Sequence, residues 1–487
     1  MVNRESSDLR TLVMKFGGTS VGDEAAIREV VRIVSSQHKS WPRLVVVTSA
    51  MAGVTNLLLE TAARAIGGDT QSVLLAANEL REKHFTVVEY LIPPGEELAA
   101  VKMEISGLID GFTNLCQAIA VLGEASPRAL DAIAGTGERL AVRLLSAALN
   151  VYGEPAKYVE ATELIVTDSH FQSAHPDFEA TTHRTQSTLQ PVMDAGLVSV
   201  VTGFIAATPD GITTTLGRGG SDYSAAILGA VLPATEVWIW TDVDGVMTAD
   251  PRLVPNARTI PVLTYREIAE LAYYGAKVVH PKTIRPVIEA EIDLRVCNTF
   301  NSSHPGTRII PDRPELTNGT NGAIKAVTAI RGQSLVTIEG RGMLGVPGVA
   351  ARAFGAVAAT GTSVPLITQA SSEQSICFAV PIDAHQQVMA ALNQAFSSEL
   401  VRRDIDRIWA SDEVVIITIV GAGMSHTPGI AGRIFGCLGD QAVNVIAIAQ
   451  GSSEVSISLV VDRADEEKAL QSLHALIVKR PVENGIM

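Results

Sequence analysis

The chain has 487 residues, 47% of them hydrophobic and 18% charged, a balance that allows about two to four domains with large cores and leaves little room for disordered tails. Its formal net charge of −14 argues against nucleic acid and an anionic membrane surface as electrostatic partners. Four scattered cysteines (Cys116, Cys297, Cys377 and Cys437) without metal-type spacing, a polar Met1–Arg10 and no run approaching the ~18 apolar residues of a membrane span read as a reduced, cytoplasmic protein.

In chain order, the apolar run Leu12–Phe16 predicts a strand that ends in Lys15-Phe16-Gly17-Gly18-Thr19-Ser20. From Gly22 onward Ile27, Val30, Val31 and Val34 recur on one helical face. Leu44–Thr48 predicts a second strand, and residues 71–123 a long helical excursion broken at Pro93-Pro94-Gly95. Val198–Thr202, Val237–Trp240 and Leu294–Cys297 are further strand candidates. Between them lie a second glycine-rich segment, Leu216–Asp222, with a helical pattern over Tyr223–Leu232, and a helix start at Pro281. Continuous apolar strands alternating with helices, from residue 12 to about 313, predict a parallel sheet covered on both faces. Gly306 to Gly322, rich in proline, asparagine and glycine, reads as a linker.

The two glycine-rich segments carry the chemistry. Each sits where a strand hands over to a helix, so backbone N–H groups can approach an anion and the helix N-terminus adds partial positive charge. Each also holds a cation, Lys15 or Arg218. Neither is a G-x-x-x-x-G-K-[ST] loop or a G-x-G-x-x-G loop, and one such turn alone is an ordinary tight connection. Two together suggest a site for two anionic groups, such as nucleotide phosphates and a carboxylate.

Beyond the linker the sequence repeats. Ile338–Ile376 matches Ile419–Ile457 at a constant offset of 81, without a gap, at 18 of 39 positions. Gly342-Met343, Pro347-Gly348, Gln369 and Ser371-Ser372-Glu373 recur as Gly423-Met424, Pro428-Gly429, Gln450 and Ser452-Ser453-Glu454. Each copy reads as strand, turn, helix, strand, strand, which suits a β-α-β-β-α-β module. A duplicated scaffold and a pair of binding modules both fit, and the repeated polar residues favour binding.

Lys15-Phe16-Gly17-Gly18-Thr19-Ser20, Leu216–Asp222, Trp240-Thr241-Asp242-Val243-Asp244-Gly245 and Gly275-Ala276-Lys277-Val278-Val279-His280-Pro281 together resemble the aspartate kinase family, and the repeat resembles that family's paired ACT regulatory domains. The likeness runs from about residue 11 to 463 and is closest to the kinase half of the bifunctional aspartate kinase–homoserine dehydrogenases. Those proteins continue into a dehydrogenase that this sequence does not show before Met487; a monofunctional enzyme and a fragment both remain open. The resemblance implies an α/β fold, the amino acid kinase-type α/β/α sandwich with a mainly parallel sheet over 11–313. Tandem ACT (βαββαβ) domains would follow over 323–487, with repeats around 333–405 and 412–470. It implies transfer of the ATP γ-phosphoryl group to the β-carboxylate of L-aspartate, with Mg²⁺, as the first step of lysine, threonine and methionine biosynthesis.

Site residues follow from the same resemblance. Lys15 would neutralise the transferred phosphoryl group, and Asp222 would order Lys15 and the metal-bound phosphates, or cap its helix, or both. Arg218 would fork onto the substrate α-carboxylate within Gly219-Gly220-Ser221, Glu138 would pair with the α-ammonium, and Ser49 and Thr55 would bond the substrate side chain. Read alone, Glu138 is an ordinary acid at a helix start, and Ser49 and Thr55 are helix-capping residues. Gly17, Gly18, Thr19, Ser20, Thr241, Asp242, Arg252, Lys277 and Val278 match nucleotide-binding positions. Met247 departs from the family's usual tyrosine, keeping a surface for adenine but losing a hydroxyl. Gln369 and Gln450 would contact an end-product amino acid, threonine rather than lysine, with backbone groups from the Gly345–Val349 and His426–Ile430 turns. Sister ACT modules would cover exposed sheet edges in a homo-oligomer, a dimer or tetramer. Rival readings are another amino acid kinase, such as acetylglutamate or glutamate 5-kinase, and a catalytically inert amino-acid sensor.

Overall fold

The computed structural model describes residues 10–274, 279, 281–312, 323–369, 374–425 and 427–478, with the backbone alone at 281–284. The chain forms two compact units. One takes it as far as Val246, with Pro261–Tyr265 and the stretch ending at Pro311. The other takes Met247–Ile260, the stretch starting at Arg266 and the chain from Asp312.

In the first unit the glycine-terminated apolar runs become strands and the amphipathic stretches become helices. β1 (Thr11–Phe16) leads to α1 (Glu24–His38), whose N-cap Asp23 accepts from the Ala26 N–H at 2.8 Å. β2 (Arg43–Thr48) and α2 (Val54–Ile66) precede α3 (Thr70–Leu91) and α4 (Glu96–Leu122), which Pro93-Pro94-Gly95 separates. α4 is the one described helix long and apolar enough to cross a membrane. Here it packs against α3 and sends Ile105, Ile109, Phe112, Cys116 and Ile119 into the core. α5 (Pro127–Ala134) starts at a Ser126 cap with proline in its first turn and runs almost directly into α6 (Thr136–Val151).

β3 (Ala156–Val159), α7 (Phe178–Asp194), β4 (Val198–Thr202), the hairpin of β5 (Ile205–Ala207) and β6 (Thr213–Thr215), α8 (Gly220–Val231) and β7 (Glu236–Thr241) follow. The unit is completed by β8 (Val262–Thr264), α10 (Pro281–Glu289), β9 (Asp293–Asn298) and β10 (Thr307–Ile310), and in chain order α9 (Tyr265–Tyr273) falls between β8 and α10. The strand β10 corrects the expected linker, which was placed from Gly306. The β-branched Thr307-Arg308-Ile309-Ile310 pairs with β8 and β9, and residues 313–322 lie outside the described part.

The eight-stranded sheet runs β3-β4-β2-β1-β7-β9-β10-β8 and is parallel except between β9 and β10. Leu12, Met14 and Phe16 turn to the core shared with α1 to α6, while α7 and α8 cover the other face. Two-residue alternation therefore puts Lys15 on the α8 side. Chain order reverses on either side of β1, so the strand ends there open a crevice in which ligands of such sheets sit.

In the second unit the repeat is visible element by element. The first copy contains β11 (Ala326–Glu339), α11 (Val349–Ala359), β12 (Leu366–Gln369), β13 (Ser375–Pro381), α12 (His385–Ala395) and the short α13 (Ser397–Arg402). The second contains β14 (Arg407–Val420), α14 (Ile430–Asp440), β15 (Ala447–Gln450), β16 (Ser456–Asp462) and α15 (Glu466–Val478). The order β12-β13-β11-β14-β16-β15 shows how the copies interlock. The first half of β11 pairs with the second half of β14, and the second half of β11 with the first half of β14. Each long strand thus serves both four-stranded modules. The sheet rolls until its edge strands β12 and β15 lie against each other over a core of Leu335, Leu366, Ala379, Val414, Ile416 and Val460.

Helix α9, from Arg266 on, belongs to this unit. Glu267 is fully buried; it takes the Ala422 N–H at 2.7 Å and pairs with Lys325 at 2.8 Å.

Candidate active site

A cavity of about 730 Å³ opens at the strand ends of β1 and β2, between the loops after them and the N-termini of α6 and α8. Lys15, next to the end of strand β1, lies in it and pairs with Asp222 of α8 at 2.5 Å. The chain after β1 turns sharply: the Ser20 N–H bonds to Gly17 O and the Ala52 N–H to Gly18 O. A Cβ on Gly18 would lie 2.9 Å from Ala50 O, so only glycine lets these two loops close on each other.

The loop after β2 brings Ser49 and Thr55 to the same cavity, with Lys83 of α3 donating to Ala52 O at 2.7 Å behind it. Glu138 stands in the first turn of α6, 3% exposed. Its Oε1 accepts from the Ala50 N–H at 3.2 Å and its Oε2 has no hydrogen-bond partner among the described residues. Burial, more than any other cause, pushes this carboxyl up to about 7, against the pull of the Ala50 and Glu138 backbone N–H groups and of Lys15 and Arg139. An orphaned buried carboxylate in a cavity is a demand for a cationic or hydrogen-bonding ligand.

Arg218, exposed, sits on the loop before α8 and makes no ion pair among the described residues. Gly217 and Gly219 flank it with φ of +76° and +71°. Gly219, Gly220 and Ser221 line the cavity beside it, at the N-terminus of α8. Phe204 joins them with a left-handed φ of +66°, rare for a bulky residue, as do Gln172 and the buried Asp131 of α5. Motif reading did not single out these three, and a lone Asp, Gln or Phe outside a motif carries no signal in the sequence.

The remaining candidates are less concentrated. Gly17 and the exposed Thr19 lie in the loop after β1, whereas Ser20 is buried with its hydroxyl on that of Thr299 at 2.7 Å. Thr241 ends β7, the neighbour of β1, Asp242 follows it, and their side chains bond each other at 3.1 Å. Met247 and Arg252 belong to the second unit. The Met247 sulfur accepts from the Thr259 hydroxyl, and the Arg252 guanidinium pairs with Asp250 at 2.7 Å. Lys277 and Val278 lie outside the described residues, as do His426 and Ser371-Ser372-Glu373.

In the second unit a cavity of about 320 Å³ is lined by Gln369 and the Gly345–Val349 turn, which were expected to lie together, and by Ile376, which was not singled out. Gln369 pairs with Ile376 across β12 and β13, as Gln450 pairs with Ile457 across β15 and β16.

The amino acid kinase family matches residues 10–298, and the ACT domain matches twice, over 336–396 and 417–476. The chloroplastic bifunctional aspartokinase/homoserine dehydrogenase 2 of Arabidopsis thaliana is 38% identical over 95% of this chain, which spans 50% of that relative's length. The chloroplastic aspartokinase 1 of Arabidopsis thaliana is 34% identical over 95% of this chain and 79% of its own. Among solved structures, Escherichia coli aspartokinase III in complex with aspartate and ADP shares 30% identity, with a TM-score of 0.78 over 96% of this chain and all of its own. Its complex with lysine and aspartate gives 0.75. Matched along its length in sequence, fold and domain order, the chain belongs to the aspartate kinase family: an amino acid kinase α/β domain followed by two ACT domains.

Proposed function

We propose that the chain transfers the γ-phosphoryl group of MgATP to the β-carboxylate of L-aspartate, giving 4-phospho-L-aspartate and ADP. The observation that carries this is the single cavity holding Lys15, Arg218 and the orphaned Glu138 carboxylate. That set complements a zwitterion with a second carboxylate: Glu138 for the α-ammonium, Arg218 for the α-carboxylate, and Ser49 and Thr55 for the reacting side chain. A β-carboxylate oxygen attacks Pγ as the bond to the ADP oxygen breaks, and that oxygen takes the electron pair. The nucleophile is already an anion at neutral pH, so no general base is needed; the requirement is charge neutralisation and alignment. Lys15 supplies the positive charge, held in place by Asp222. Asp222, whose Oδ1 is the oxygen paired with Lys15, would have Oδ2 to hold Mg²⁺ carried on the triphosphate, which when bound would neutralise phosphate charge.

Similarity to an aspartokinase solved with aspartate and ADP supports this reading. The test compares ATP-dependent, hydroxylamine-trapped acyl phosphate formation on L-aspartate, L-glutamate and N-acetylglutamate. Product from aspartate alone is expected; product from either other acid would move the chain to another amino acid kinase, and none at all would leave the inert sensor.

The same reading includes end-product control through the ACT domains, with threonine favoured over lysine because the Gln369 carboxamide can both donate to and accept from a small hydroxyl. It also includes a cytoplasmic homo-oligomer, dimer or tetramer. Ile367 and Ile448, equivalent across the repeat and exposed on the edge strands β12 and β15, supply the apolar strip that a sister module would cover. A monomeric mass by light scattering at micromolar concentration would exclude the oligomer.

A further inference from the structure

Asp131 is 1% exposed, in the middle of α5, and carries neither a salt bridge among the described residues nor a role in the chemistry above. Both its oxygens are filled by donors from two distant segments. The Gln172 N–H reaches Oδ1 at 3.1 Å and Oδ2 at 2.9 Å; the Thr215 N–H reaches Oδ2 at 3.0 Å and the Thr215 hydroxyl reaches Oδ1 at 2.8 Å. Burying a carboxylate without a counter-ion is costly, and burial raises this one's pKa while the Gln172 and Thr215 bonds lower it. Such a group persists where it holds something that packing alone does not.

What it holds is the root of the Arg218 loop. Thr215 ends β6, three residues before Arg218, a reach of about 10 Å at full extension. The segment around Gln172 closes on the same root: the Ala174 N–H bonds to Thr215 O at 2.9 Å, and a Cβ on Gly217 would come within 3.0 Å of Gln172 O. Gln172 itself takes a left-handed φ of +69°, which its N–H bonds to Asp131 help to hold. From the other side the Leu216 N–H bonds to Phe204 O and the Gly220 N–H to Gly217 O. Arg218 is therefore presented by a turn whose preceding residues are fixed on three sides, and the Asp131 side chain bonds to both the Gln172 segment and Thr215.

We infer that Asp131 is a positioning residue for substrate recognition: it sets the turn that aims Arg218 at the α-carboxylate, and so determines selection for an amino acid with that group free. The inference rests on the aspartate kinase reading. Asp131→Asn keeps an acceptor for the Thr215 and Gln172 N–H groups and loses only part of the clamp, whereas Asp131→Ala removes it. Thr215→Val deletes the hydroxyl bond alone and serves if the Asp131 variants fold poorly.

The experiment uses the full chain and measures kcat, aspartate KM and ATP KM for wild type, the three variants, Arg218→Ala and the Asp131→Asn/Arg218→Ala pair. Asp131→Asn should raise aspartate KM about tenfold, Thr215→Val about threefold and Asp131→Ala most, with ATP KM within about twofold of wild type. In the Arg218→Ala background Asp131→Asn should change aspartate KM by less than about twofold, because the group it positions is gone. A parallel rise in both KM values, or an effect that adds in full to Arg218→Ala, would make Asp131 a general staple and overturn the inference. Arg218→Ala with an unchanged aspartate KM would overturn the underlying assignment as well, so the two failures differ.

Discussion

Replacing Glu138 by glutamine separates what this carboxylate contributes to binding from what it costs the empty protein. Its carboxyl is held at about 7 against an ordinary 4.5, chiefly by burial, a displacement worth roughly 3 kcal/mol. Between those two values the folded protein keeps a proton that the unfolded chain has lost. The penalty is therefore absent well below pH 4.5, grows through that window and is complete above pH 7. Empty Glu138→Gln protein should melt above wild type at pH 8, by up to roughly 3 kcal/mol, and the difference should shrink steadily toward pH 5.

Substrate reverses the sign. An α-ammonium beside Oε2 needs the ionised carboxylate, so wild-type kcat/KM for aspartate should rise through an apparent pKa near 7, the value of the free enzyme. Truncating one partner of a buried charge pair costs about 2–5 kcal/mol, so Glu138→Gln should lose roughly 30-fold to several-thousand-fold in kcat/KM. The pH–rate profile between 6 and 8 should flatten in the variant. Initial rates of ADP release at sub-saturating aspartate give the kinetic arm, and thermal melts without ligand give the other. A loss below about threefold, or a variant that keeps the wild-type pH profile, would refute the pairing of Glu138 with the ammonium.

Lys15→Ala should depress kcat by at least about a hundredfold while moving aspartate KM far less, since its charge matters most as the phosphoryl group moves; near wild-type turnover in steady-state assays would contradict this. Gln369→Ala and Gln450→Ala should relieve threonine inhibition, a coupling of about 1–3 kcal/mol, and leave uninhibited kcat almost unchanged; titrations with threonine, lysine, methionine and isoleucine decide it, and inhibition by lysine alone would sink the choice of effector. Lys325→Met removes the ammonium paired with the fully buried Glu267 carboxylate and should cost about 3–5 kcal/mol, read as an earlier melting transition by circular dichroism.

What was legible in the sequence is what neighbouring residues dictate. The strand–glycine–helix signature of Leu12 to Val34 needs only its own apolar spacing, and β1 and α1 formed where it placed them. Pro93-Pro94-Gly95 broke the long helical stretch where expected, because proline and glycine act locally. The offset of 81 is reproduced from α11 to α14 and from β12 to β15. Pairing partners were not legible. No pattern within Ala326–Glu339 tells that half of it completes one module and half the other; β14 (Arg407–Val420) pairs along its whole length, with register shifts near Ile330 and Ser334, and β13 joins only from Gln333 on. Thr307–Ile310, short and next to a glycine- and proline-rich stretch, read as linker until β8 and β9 were there to pair with it.

The site divides along the same line. Lys15, Arg218 and the glycines announce themselves because an anion site needs close backbone approach beside a cation, a demand written into adjacent residues. Glu138 and Asp131 do not, since each is one acid among helical neighbours and takes its meaning from partners 41 to 88 positions away: Ala50 for one, Gln172 and Thr215 for the other. Both carboxylates are buried and both are costly, but they are costly in different ways. Asp131 has its donors in the protein and so is already satisfied in the empty state, which suits a group that holds a loop still. Glu138 leaves Oε2 open, which suits a group completed by substrate. The number of unfilled acceptors on a buried acid, more than its burial or its pKa, separates the residue that positions from the residue that binds.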